Sequence, residues 1–216
     1  METLYKLTRQ NYTTCGNTLW GENVERTAKG GQLCTADVIH AYRHPLLAVF
    51  FNPIHAGFEK PILWEAEGEV CVEDGTKVGC TRLKTLRIIE VPSLSTEQRV
   101  EIAIRCALVV CKEESFVVWA NNWLNGKDRS WAAAEVQRSV WAAAAWAVES
   151  AAAAWAESAA EEAARTAAWA VESAVEAAAR TAPWAARAAR AAAEAGNMPI
   201  NILEIILKVA KKPQEN

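Results

Sequence analysis

Apolar and polar residues alternate over most of the first ninety positions and then fall into a helical period, which divides the chain before any composition is counted. Thr3 to Thr8 alternates cleanly and predicts a first strand. After turn-rich Asn11 to Asn17, Thr18-Leu19-Trp20 begins a second, and the pair Gly30-Gly31 punctuates a loop. Asp37 to Tyr42 is extended, and Pro45 opens a short helix, Leu46 to Phe51, that Pro53 is expected to end. Ile62 to Glu67 and Val70 to Glu73 read as strands, with Asp74-Gly75 as a hairpin signal before Lys77 to Thr81. A last strand, Thr85 to Val91, stops at Pro92. These pieces make a small sheet packed on one face.

Beyond residue 94 the pattern is helical. Ser95-Thr96-Glu97-Gln98 is an N-capping signal for an apolar helix reaching about Lys112, and a second helix runs from about Ser115 to the stop at Asn125-Gly126. From Trp131 to Ala195 about half the residues are alanine, with no glycine, aspartate or lysine. Alanine has the highest helix propensity, so this run reads as helix. Glu157, Ser158, Glu161, Arg165, Thr166 and Trp169 recur fifteen residues later as Glu172, Ser173, Glu176, Arg180, Thr181 and Trp184. One helix from Trp131 to Thr181 would be about 75 Å long, so either a break or packing on a second copy is expected, with Pro183 as one break. A final amphipathic helix, Ile200 to Lys211, turns Ile202, Ile205, Ile206 and Val209 inward.

The fold class is therefore α+β: a small, mostly antiparallel sheet domain with one short helix over residues 1–94, followed by an all-α, alanine- and tryptophan-rich helical module over residues 95–216. Eight of the ten glycines precede residue 80, in line with that division. A net charge of −3 gives no basic footprint for nucleic acid. No signal peptide or charge-free membrane span is present, and none of the six cysteines forms a Cys-x-x-Cys pair. A cytosolic chain with reduced thiols follows.

Reactive groups are few. His40, His44 and His55 fall close together, with Cys34 nearby, but a strand end and a loop do not present the tetrahedral convergence a zinc site needs, and no metal is expected. Glu65 and Glu67 share a strand face, which is the ordinary pattern of a solvated edge. Lys6, His40, Tyr42 and His44 remain as candidate ligand-binding residues. On a helical wheel Trp141, Trp155, Trp169 and Trp184 cluster within about 80° and read as a packing seam. Trp131 and Trp146 fall elsewhere and are the candidate partner contacts.

Three stretches resemble known families. The string His40-Ala41-Tyr42-Arg43-His44-Pro45-Leu46, followed by Trp64-Glu65-Ala66-Glu67, resembles an uncharacterised domain of tailed phages and phage-rich bacterial genomes over most of residues 3 to 92. Trp119-Ala120-Asn121-Asn122-Trp123-Leu124, leading into Gly126-Lys127-Asp128-Arg129 and the alanine repeat, is similar over about residues 97 to 182 to alanine-rich helical proteins described as bacterial immunity proteins. Leu4-Tyr5-Lys6-Leu7-Thr8 with Tyr42 also resembles the opening of ADP-ribosyltransferase folds, although Lys6 stands where that resemblance calls for histidine or arginine.

The expectation is a non-enzymatic binding protein of phage or mobile-element origin, cytoplasmic in a bacterial host, acting in immunity or counter-immunity through its helical surface. It needs no cofactor, binds a protein partner, forms a homo-oligomer, and engages neither nucleic acid nor membrane. The alternative is a front domain that binds or sequesters a small nucleotide, or a degenerate ADP-ribosyltransferase-like enzyme.

Overall fold

The computed structural model describes residues 1–130, 166, 167, 169, 178–195 and 200–211. It divides the chain into two compact units, Met1–Ser93 and Leu94–Asn216.

The front unit holds five strands, β1 (Glu2–Thr8), β2 (Glu25–Thr27), β3 (Ile39–Ala41), β4 (Ile62–Glu73) and β5 (Val78–Ile89), and one α-helix, α1 (Pro45–His55). All pairings are antiparallel. The long β4–β5 hairpin is the spine: β1 pairs with the first half of β4, while β2 and β3 pair with β5. Tyr42, one residue past β3, then exchanges two backbone hydrogen bonds with Tyr5 of β1, at 2.8 and 2.9 Å. The chain β1, β4, β5, β3 thus closes on itself, which removes sheet edges that would otherwise need covering. Within lie Leu4, Trp20, Ala41, Ala66, Val78, Cys80 and Leu83.

Several local outcomes differ from the sequence reading. Thr18-Leu19-Trp20 forms no strand: a 3-10 turn occupies Cys15–Asn17, Leu19 makes an isolated bridge to Thr13, and the second strand falls at Glu25–Thr27. The separate strand pieces either side of Gly68 and around Leu83 are continuous parts of β4 and β5. Gly68 permits this because a Cβ there would come within 3.0 Å of Leu4, Leu83 and the Arg82 carbonyl. Pro53 lies inside α1. It removes one internal hydrogen bond, and the helix ends instead where the Asn52 carbonyl accepts from Ala56 and Gly57, with Gly57 in the left-handed region (φ 63°).

The second unit contains α2 (Thr96–Val110), α3 (Glu114–Leu124), α4 (Ala178–Ala195) and α5 (Ile202–Ala210) among the described residues. Ser95 caps α2 through a complete capping box with Gln98, and Glu113 rather than Ser115 caps α3. Val100 to Ile104 are buried without interruption, so the middle turn of α2 is enclosed on all sides, with α4 and α5 packed against the helix. Pro183 is accommodated within α4, where a break was expected. Ala185, Ala186, Ala188, Ala189 and Ala192 are fully buried while Arg187, Arg190 and Glu194 face outward, the spacing of an amphipathic helix. In α5 Ile202, Ile206 and Val209 are buried and Ile205 is only half-buried.

Trp169 and Trp184 meet edge to face with ring centroids 4.5 Å apart. Fifteen residues along one straight helix would separate them by about 22 Å, so they belong to different helical passes. Trp131, Trp141, Trp146 and Trp155, and the helix start expected at Trp131, lie outside the described residues. Among the described residues no helix is long and apolar enough to cross a membrane.

Candidate functional site

The candidate residues of the front unit sit where β1, β3 and the head of α1 meet. Leu4, Lys6 and Thr8 alternate onto the enclosed face of β1. Lys6 is only 8% exposed. Its ammonium donates to the His40 carbonyl at 2.6 Å and lies 5.2 Å from the centre of the Trp20 ring. Burial pushes its pKa down from 10.5 to about 8, against the opposing pull of the Cys80 and Cys15 thiols. Trp20 is itself fixed by an Nε1 hydrogen bond to Thr14 (3.1 Å). A lysine of this kind has a usable amine near neutral pH, but it is roofed by an indole and engaged by a backbone oxygen.

His40 is positioned by its pairing with Gly79, whose missing side chain leaves room for Val38 and Val72. Its carbonyl serves Lys6, whereas its ring turns away and Nε2 accepts from the Cys34 amide at 3.0 Å. Burial first, then the Lys6 and Lys77 ammonium groups, lower its pKa, against the opposing pull of Asp74, and keep the ring neutral as that acceptor role requires. Tyr42 is buried, and its hydroxyl meets His55 Nδ1 at 3.3 Å with the two rings stacked. Burial, then the Asp74 carboxylate, drive the phenol above its ordinary range. His44 caps α1: Nδ1 accepts from the Leu46 amide at 3.1 Å, and partial burial lowers its pKa.

Lys6 and His40 are thus brought into contact, while Tyr42 and His44 serve other partners. Sequence reasoning named Cys34 only as a neighbour and missed Lys77, whose ammonium donates to Cys34 Sγ at 3.1 Å. The hairpin signal could have found it, since Asp74-Gly75 sets Lys77 at the foot of β5, one residue before the Val78 that pairs with Ala41. Asp74 builds that turn by accepting from the Thr76 hydroxyl and amide and from the Lys77 amide, at 2.6, 2.9 and 3.0 Å. Burial would raise its carboxyl, and these donors outweigh it and hold the pKa low.

A cavity of about 30 Å³ lies between Arg43, Leu47, Glu73 and the Gly75–Val78 end of the hairpin. That is room for a water molecule and far below the several hundred Å³ of a small-molecule pocket. Arg43 beside it pairs with Glu2 and Glu73 at the surface. Among the described residues no three His, Cys, Asp or Glu side chains gather as a metal site requires. Trp131 and Trp146, the candidate partner contacts, lie outside the described residues. Comparison with protein-family models, curated proteins and solved structures finds no match to this chain.

Proposed function

We propose that this chain is a non-enzymatic binding protein, of the phage or mobile-element kind, that acts inside a bacterial host in immunity or counter-immunity through its alanine- and tryptophan-rich helical unit, with a protein partner or a second copy as its target. One observation carries the reading: the side-chain polar groups of the candidate ligand residues each have a partner within the front unit. A nucleotide would have to displace Lys6 from the His40 carbonyl and enter beneath Trp20. The outward face of α4 instead presents Arg187 and Arg190, and arginine is enriched where proteins meet.

The alternative is a nucleotide-sequestering or degenerate ADP-ribosyltransferase-like front unit, for which the buried Lys6 amine is the one favourable feature.

Both are tested by plating a panel of tailed phages on bacteria expressing the whole chain, beside sedimentation of the purified protein. The proposal expects at least one phage to plate tenfold or more differently from the vector control, in either direction. It also expects a mass above the monomer, loss of the plating effect in an Arg187→Glu, Arg190→Glu variant, and its retention in Lys6→Met. A plating effect lost in Lys6→Met but kept in the arginine variant would transfer the function to the front unit. No effect on any phage together with a monomeric mass would remove the proposal.

A further inference from the structure

Lys77 is 7% exposed, and although the Asp74 carboxylate and its ammonium attract one another, the two are not in ion-pair contact. Its hydrogen-bond partner among the described residues is a sulfur, Cys34 Sγ, at 3.1 Å. Thiol sulfur is a weak acceptor, so a buried cation is spent on a poor partner. Asp74, three residues away, gives Oδ1 to the Thr76 hydroxyl and to the Thr76 and Lys77 amides.

Cys34, by contrast, is open to solvent. It is held rather than free to swing: its backbone lies in the left-handed region (φ 63°) and its amide donates to His40 Nε2 at 3.0 Å. An oxidant can therefore reach the sulfur, while the nitrogen beside it is kept at contact distance by the sheet. Cys71 makes the internal comparison. It too is exposed, but its thiol turns to the Gly79 carbonyl at 3.4 Å.

We propose that Cys34 and Lys77 form a reversible covalent link when the protein meets hydrogen peroxide or another hydroperoxide. In the first step peroxide takes two electrons from the Cys34 thiol, giving the sulfenic acid and one water. The Lys77 ammonium then releases a proton to solvent, and its lone pair attacks the sulfur. The S–O bond breaks, the departing hydroxide takes a second proton from nitrogen and leaves as water, and an S–N bond remains. Over both steps, one thiol, one amine and one peroxide give a sulfenamide and two waters. Two equivalents of a small thiol reverse it, returning the thiol and the amine and leaving as their own disulfide. The link would tie the loop between β2 and β3 to the foot of β5, fixing a segment that reaches the sheet through the Ala28 amide on the Thr81 carbonyl and the Cys34 amide on His40.

The test is intact-mass analysis and peptide mapping of the full chain, treated with hydrogen peroxide and quenched with a maleimide. The expected result is a mass lower by two hydrogens with one of the six thiols lost, and a single cross-linked peptide joining residues 34 and 77. Dithiothreitol should restore the starting mass, and both Cys34→Ser and Lys77→Arg should abolish the species while Cys71→Ser keeps it. Two thiols lost together would mean a disulfide and overturn the proposal. So would Cys34 progressing to sulfinic acid with Lys77 unmodified. The map of the unaltered protein decides the matter even if a variant folds poorly.

Discussion

Side-chain hydrogen bonds thread the interior of the front unit between positions distant in sequence: Lys6 with His40, Trp64 with Thr8, Thr85 with Gly21 and Lys77 with Cys34. The described interior of the helical unit is built differently. On α4 it is a bed of methyl groups, and on α2 the buried acid Glu101 is answered by Arg105 one turn on, at 2.7 Å. In a sheet closed through one pair of residues, directional bonds add to the apolar face in fixing the registers. Helices faced with alanine gain theirs from close approach, where a single extra carbon is felt. The same number of buried side chains therefore carries different risks in the two units.

That difference can be broken from either side. The largest effect is expected at Lys6, where replacing the ammonium by Lys6→Met removes a charge whose burial costs roughly 3 kcal/mol, judged from a pKa held near 8. The sign follows from proton counting. Between pH 8 and 10.5 the unfolded chain holds the Lys6 proton and the folded one does not, so stability rises with pH across that window and is insensitive to Lys6 below it. Cys80 and Cys106, both pushed up to about 12 by burial, act in the opposite sense above pH 9, which leaves pH 8 to 9 as the clean interval. Thermal or denaturant melts should find the variant more stable at pH 7 and the gap narrowing by pH 9. A gap that stays constant would show that Lys6 is not buried as a charge.

In the helical unit, Ala188→Leu forces three carbons into a site with no exposure and should cost about 1 to 3 kcal/mol, read as a lower denaturant midpoint. An unchanged midpoint would mean that the methyl bed is loose. Thr8→Val, back in the front unit, keeps the shape but leaves the buried Trp64 indole N–H without its 3.0 Å acceptor. Equilibrium unfolding should register a loss of about 1 to 2 kcal/mol, and a neutral result would weaken the claim that polar bonds specify this core. The smallest effect, about 1 kcal/mol, is expected from Ser95→Ala at the cap of α2, seen as reduced helicity and a lower melting temperature.

Legibility followed the range of the interactions. The capping box at Ser95 and Gln98 and the turn at Asp74-Gly75 are contained in four or so residues and could be read directly. The α+β character of the front unit followed from period-two alternation. Closure through Tyr5 and Tyr42 could not be read, because it joins residues 37 apart through backbone atoms that carry no sequence signal. Pro53 and Pro183 were weighed as breaks on local grounds, yet each sits inside a helix where one missing hydrogen bond is outweighed by packing. Of the candidate ligand residues Lys6, His40, Tyr42 and His44, the first two meet, through the carbonyl of His40 rather than its ring. The place of Lys77 follows from the Asp74-Gly75 turn, but its pairing with Cys34 does not, because Cys34 approaches from a loop whose path depends on left-handed backbone at Gly30 and Cys34.

The central claim is that the polar side chains of the front unit are committed to partners within that unit and are not kept ready for a ligand. Titration of the full chain with nicotinamide and with cyclic nucleotides, followed by two-dimensional NMR of backbone amides and the Lys6 side chain, tests it most directly. The account predicts no movement of the Lys6, His40 or Tyr42 signals at millimolar ligand. Saturable shifts at those residues, abolished by Lys6→Met, would contradict it.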